Sequence, residues 1–172
     1  MGITIALIII EIILISFATG ALLGAIWVPT KKKDYERIAK LINIKSGTTL
    51  YDLGSGTGEL LFYLAKKYNI ECVGIEISPL LFLYSKVKSI FYKNVEIKYG
   101  NLFRSNLSEA DVIYAFLLPK TYDKLKERIR KSSKKNALII LAAWPFERIE
   151  PDRISNEANK TSYYLYYKKT IL

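Results

Sequence analysis

The chain has 172 residues, 51% of them hydrophobic, enough for one domain with its own core and a short appendage. Lys and Arg number 26 against 16 Asp and Glu, a formal charge of +10, which suits an anionic partner (nucleic acid, an acidic protein, an anionic membrane face) or a solvated basic surface. With no histidine and a single cysteine, Cys72, the chain lacks the commonest general base and the commonest metal ligand; metalloenzymes, Ser-His and Cys-His hydrolases and internal disulfides are set aside, and no metal site is expected.

The first predicted element is apolar. Residues 3–28 (ITIALIIIEIILISFATGALLGAIWV) carry one charge, Glu11. About 20 apolar residues cross about 30 Å of hydrocarbon, so this segment is predicted to be a tilted transmembrane helix. It is too long for the apolar region of a signal peptide, and no basic stretch precedes it. Lys31, Lys32 and Lys33 follow at once, which places the rest of the chain on the cytoplasmic side, with Trp27 at the interface. Residues 1–28 are thus expected to be a single-pass anchor in membrane lipid, and 29–172 the domain it holds. A charged Glu11 at mid-bilayer would cost about 3 kcal/mol, so it is expected protonated, snorkelling or paired. Gly20-x-x-x-Gly24 has a helix-packing pattern but faces away from Glu11, nine residues earlier, so the two do not share an interface.

Residues 34–43 then place Tyr35, Ile38, Leu41 and Ile42 on one face of a predicted helix, and Gly47 ends that unit. Strand-like and amphipathic segments alternate from there. Strands are predicted over 48–53, 71–77, 95–100, 110–118, 136–144 and 161–169, with a weak one at 153–156. Helices are predicted over 57–68, 79–92 (opened by Pro79) and 119–132. Cys72 falls in a strand and is expected in the core. This alternation predicts an α/β fold, a doubly wound, Rossmann-like, mostly parallel sheet with its ligand crevice at the carboxyl ends of the strands.

The glycine turn after the first strand, LYDLGSGTGEL (50–60), carries the chemistry. A P-loop needs Lys-Ser or Lys-Thr after its glycines, and neither follows. A dinucleotide turn needs G-x-G-x-x-G/A, whereas Gly54, Gly56 and Gly58 are followed by Glu59 at the sixth position. An acid there, and Asp52 two residues before Gly54, would oppose a pyrophosphate but suit a cationic ligand. S-adenosyl-L-methionine, with a sulfonium, an ammonium and no phosphate, is such a ligand. Glu76 ends the next strand 18 residues after Gly58, where an acid can accept hydrogen bonds from ribose hydroxyls.

With these residues the chain resembles the class I S-adenosylmethionine-dependent methyltransferases, over about residues 29–168. The resemblance implies that the turn Gly54, Ser55, Gly56, Gly58 lies against the methionine part of the cofactor and that Glu76 binds the ribose. It also implies that Asn101 stands beside the adenine amino group, where the family often has Asp, and that Ile77 and Leu102 flank the adenine. A narrower resemblance rests on WVPT (27–30), YDLGSGTGE, VGIEISP, GNLF, FLLP after the fourth main strand and PF after the fifth. Together these are similar to the small archaeal protein lysine methyltransferases and the membrane-anchored mitochondrial ones. The latter carry an apolar segment just before V-P-[AST], as Ile3 to Thr30 do here; Thr57 stands where the group usually has Asp. This implies a protein-lysine N-methyltransferase tethered at the membrane, acting on a lysine of a protein at or near the bilayer.

A lysine acceptor must become a neutral amine, and an apolar, aromatic slot favours that form. Phe116 after the fourth strand, and Trp144 and Phe146 after the fifth, are the candidates for such a slot. The Asn/Asp-Pro-Pro-aromatic motif of base-amine methyltransferases is absent, and no cysteine follows either strand. Nucleic acid is not the expected partner, because a single-pass anchor holds the domain at the bilayer. A lipid, quinone or other small amphiphile is the alternative acceptor, and a non-catalytic, membrane-tethered module that binds adenosyl ligands is the alternative without turnover.

Overall fold

The structure, a computed structural model of the chain, describes Thr4, Ile5, Leu7, Glu11 and residues 28–171. The predicted anchor, with Gly20 and Gly24, lies almost entirely outside the described residues. Among those described, no helix is long and apolar enough to cross a membrane.

Helix α1 (Tyr35–Ile42) leads into β1 (Thr49–Leu53), α2 (Glu59–Tyr68), β2 (Glu71–Glu76), α3 (Pro79–Ser89) and β3 (Val95–Tyr99). The second half is β4 (Val112–Ala115), α4 (Tyr122–Ser132), β5 (Leu138–Ala142), β6 (Arg153–Ser155) and β7 (Tyr163–Tyr167). The strands form one sheet in the order β3-β2-β1-β4-β5-β7-β6. β1 pairs in parallel with β2 and β4, β2 with β3, and β4 with β5, while β7 runs antiparallel between β5 and β6. This is the mostly parallel, Rossmann-like sheet that the alternation predicts.

Two cores sandwich the sheet. On one face Leu50, Cys72, Ile97, Tyr114 and Leu165 pack under α1 and α2; on the other Leu53, Ile75, Ile113, Leu141 and Tyr166 pack under α4. Strands buried on both faces need apolar residues at every position, as β4 has in Val-Ile-Tyr-Ala. Burial pushes the Cys72 thiol up to about 12, that of an inert core residue. α4 buries Tyr122, Leu125 and Ile129, one turn-spaced stripe, and leaves its many charges outside. α3 differs: Ser85 and Ser89 are its buried residues.

Some elements are shorter than predicted. β4 ends at Ala115 rather than at 118. Its neighbour β1 departs into the glycine turn after Leu53, which pairs with Ala115, so Phe116 has no strand partner on that side. The helix expected over 119–132 begins at Tyr122, after a 3₁₀ turn over Pro119–Thr121.

The segment leading in from residue 28 is bound to the sheet. Thr30 Oγ1 and the hydroxyl of buried Tyr114 are 2.7 Å apart in a hydrogen bond. Asp34, fully buried, accepts from Arg37 Nη1 at 2.8 Å, and Arg37 also donates to Thr161 O and Ser155 O, both at 3.0 Å. One arginine thereby fastens the start of α1 to the β6–β7 edge.

Candidate functional site

Three glycines with left-handed backbone make the turn after β1: Gly54 (φ 90°), Gly56 (φ 55°) and Gly58 (φ 74°). L-residues rarely adopt this conformation. A Cβ on Gly58 would also lie 2.9 Å from the Phe62 ring. The amides of Gly54 and Ser55 both donate to Ile75 O, at 2.9 and 3.1 Å, so the turn is pinned to the end of β2.

Glu76, the last residue of β2, joins two loops. Its Oε2 accepts from Gly56 N at 2.7 Å and its Oε1 from Ser78 N at 2.7 Å. A carboxylate has about four lone-pair sites, so the group keeps acceptor capacity for a ligand hydroxyl. Burial raises the Glu76 pKa, and the amides of Ser78, Gly56 and Ile77 pull it back. Asp52 is buried too, and burial, with Glu76 as the lesser cause, pushes its carboxyl up to about 8.

A small cleft opens at the carboxyl ends of β1, β2 and β3, lined by Gly54, Ile75, Glu76, Ile77, Gly100, Asn101, Leu102 and Phe103. It brings together five residues singled out from the sequence: Gly54, Glu76, Ile77, Asn101 and Leu102. Asn101 Oδ1 accepts from Phe103 N at 2.9 Å, so one of its lone pairs is spent on capping its own turn. Ser55 points elsewhere. Its hydroxyl is buried, finds no hydrogen-bond partner among the described residues, and lies 2.7 Å from where a Cβ on Gly74 would stand. Ser55 is not among the residues that line the cleft, and its amide and carbonyl are bonded to Ile75 O and Gly58 N.

Gly74, Gly100 and Phe103 were not among the sequence candidates. A Cβ on Gly74 would lie 2.7–2.8 Å from Ser55 Oγ, Ile97 Cδ1 and Leu61 Cδ1, so this glycine lets the turn settle onto β2. An isolated glycine inside a strand, read as a mark of close approach, could have pointed to it.

Beyond the glycine turn, Phe116 and Trp144 leave the ends of β4 and β5 with ring centroids 6.2 Å apart, tilted by 54°. Phe116 follows Ala115, the register partner of Leu53, so it leaves the sheet beside the start of the glycine turn; Leu117 lies 3.6 Å from where a Cβ on Gly54 would stand. Ala143, left-handed at φ 69°, reverses the chain just before Trp144, which is 41% exposed. Phe146 does not join them, contrary to the sequence expectation. It is buried between Tyr122 and Tyr166, at 5.3 and 5.0 Å between centroids, and is a core residue.

Residues 52–153 match the family model of the ANTKMT methyltransferase domain. The chain belongs to this family of class I S-adenosylmethionine-dependent methyltransferases. The methyltransferase is 30% identical over 118 residues to the protein-lysine N-methyltransferase of Saccharolobus islandicus, covering 66% of this chain and 73% of that protein. It is 24% identical over 138 residues to an ATP synthase lysine N-methyltransferase of Mus musculus, covering 78% of this chain and 55% of that one. It thus spans about half the length of the mouse protein. Among solved structures, an RNA methyltransferase from Salinibacter ruber in complex with S-adenosyl-L-homocysteine aligns with a TM-score of 0.77 at 29% identity, covering 81% of this chain and 93% of that one.

The methyltransferase uses S-adenosyl-L-methionine, and its cleft has the chemistry for that molecule. The buried carboxyl of Glu76 lines it, that of Asp52 is buried in β1 two residues before Gly54, and among the described residues no Lys or Arg lines it. Acceptors without basic donors suit a cationic nucleoside rather than a phosphate. Glu76 would hold the ribose, Ile77 and Leu102 the adenine faces, and the glycine backbone with Asp52 the methionine end.

Proposed function

We propose that this methyltransferase is a protein-lysine N-methyltransferase, held at the membrane by residues 1–28 with its domain on the cytoplasmic side. The observation that carries the acceptor is the Phe116–Trp144 pair, set beside the glycine turn in a family with lysine-methylating relatives. Bound S-adenosyl-L-methionine supplies an electrophilic methyl on sulfur, and in-line displacement then depends chiefly on alignment. Phe116 and Trp144 would flank the incoming side chain, exclude water and disfavour its ammonium form, so that a neutral amine is presented. In a chain without histidine, such desolvation takes the place of the commonest base. The ring faces also suit a methylammonium product. The tether draws support from the apolar run 3–28, Lys31 to Lys33, and the short distance in sequence from Thr30, bonded to Tyr114, back to that run.

The test is to incubate the protein and labelled S-adenosyl-L-methionine with membrane and soluble fractions of cells lacking it, then map the label. Label on lysines of membrane-fraction proteins is expected. Equal labelling of both fractions overturns the membrane restriction, and label in lipid overturns the protein acceptor. Methylation of RNA is a second reading, favoured by the Salinibacter ruber neighbour and the +10 charge. Label resistant to protease and released by ribonuclease would establish it instead.

A further inference from the structure

Helix α3 is built inside out for a soluble helix. Its sheet-facing side carries Ser85 and Ser89, whose hydroxyls are satisfied within the helix by Leu81 O at 2.9 Å and Lys86 O at 2.7 Å. Its outer side is apolar. Leu83, Tyr84 and Val87 are 59%, 54% and 53% exposed, and Ile90 and Phe91, just past the helix end, are 77% and 82% exposed. At 100° per residue these five fall within an arc of about 120°, opposite the two serines.

Lysines rim the patch. Lys86 and Lys88 stand on its two flanks, and Lys93 follows it. The acids close by are already engaged, Glu59 with Lys88 and Glu96 with Lys98. Exposed Lys93 makes no ion pair among the described residues, and Lys86 holds only the carbonyl of Ile97. A second copy seated patch to patch would set these cations against their own images, with no free acid to answer them. An anionic headgroup layer answers them directly. Phe, Leu and Val on one face with lysines at its borders is the pattern of a helix lying in the interface plane, its apolar side about 5–10 Å below the headgroups. Continuity points the same way. α1, which follows the apolar run at 3–28 after a few residues, packs into the same sheet-face core as Phe82 of α3.

We propose that α3 seats its outer face (Leu83, Tyr84, Val87, Ile90, Phe91) in the headgroup region of an anionic bilayer, as a second membrane contact beside the tether. The geometry rests on the proposed tether. Because Ser78, which opens α3, is held by Glu76, this contact would fix the orientation of the cofactor cleft toward the bilayer.

Single nitroxide labels on the full chain test it. Val87→Cys and Phe91→Cys report on α3, and Lys124→Cys, exposed on α4 across the sheet, is the reference. Buried Cys72, its thiol pushed up to about 12, stays unlabelled. The proteins are reconstituted in vesicles of phosphatidylcholine and phosphatidylglycerol in equal parts, floated on a gradient, and probed with oxygen and a soluble nickel chelate. The expected result is loss of nickel accessibility and gain of oxygen accessibility at 87 and 91, with 124 remaining open to nickel. Floating protein whose three labels are equally open to nickel overturns the α3 contact and leaves the tether standing. Protein that does not float overturns both. Labels shielded from both reagents mark a protein cover, from residues 3–28 or a second copy, and overturn the lipid assignment. Equal burial in pure phosphatidylcholine overturns the role given to Lys86 and Lys93.

Discussion

Asp52→Asn should stabilise the protein at neutral pH while weakening its hold on S-adenosyl-L-methionine. Burial, with Glu76 as the smaller cause, pushes the Asp52 carboxyl from an ordinary 3.8 to about 8. An unfolded chain releases that proton near its ordinary value, whereas the native state keeps it. Stability therefore falls as pH rises from about 4 to about 8, and levels off above. At pH 7 the gap is about three units, worth about 4 kcal/mol against the native state, and the neutral amide removes it. In a chain of this size that is a rise in Tm of about 10 °C, shrinking toward nothing near pH 4. Melts of the two full-length proteins across this range, without cofactor, measure it. The cationic cofactor favours ionised Asp52, so wild-type affinity should climb with pH up to about 8, and the affinity of the variant should be lower and flat. A Tm difference that is the same at about pH 4.5 and about pH 7.5 would refute the burial cost assigned to this carboxyl.

Other substitutions probe the remaining parts. Glu76→Gln leaves one acceptor oxygen for the two amides of Gly56 and Ser78, and calorimetry should find cofactor binding weaker by about tenfold or more; unchanged affinity would sink the role of Glu76. Gly74→Ala forces a Cβ against three atoms at 2.7–2.8 Å and should cost about 1–3 kcal/mol, read as a lower Tm. Trp144→Ala, at a partly exposed ring, should leave Tm and cofactor affinity nearly unchanged and lower turnover on a lysine acceptor about tenfold; equal loss of cofactor affinity would remove Trp144 from the acceptor side. Thr30→Val leaves the buried Tyr114 hydroxyl without its partner and should lower stability by about 1–3 kcal/mol in a denaturant titration.

Much of the site was legible because its requirements are local. Gly54, Gly56 and Gly58 announce left-handed backbone, and Glu76 announces itself by ending an apolar strand at the right distance. The alternation of strands and helices was enough for a mostly parallel sheet. What escaped depends on partners distant in sequence. Gly74 matters only because Ser55, Leu61 and Ile97 converge on it. Phe146 looked equivalent to Trp144, yet the left-handed turn at Ala143 separates their fates, and Tyr166 waits on the inner side to receive Phe146. The orientation of α3 depends on the sheet beneath it: the structure buries Ser85 and Ser89 and leaves Leu83, Tyr84 and Val87 exposed.

The junction between β1 and β4 divides the labour of the sheet. Everything suited to the methyl donor hangs from β1, β2 and β3, and the aromatic pair hangs from β4 and β5. Leu117 lies against Gly54 where the two halves meet. A molecule divided along this seam can exchange one clientele for another by rewriting the exits of two strands, while the half that handles the currency of the reaction is inherited intact.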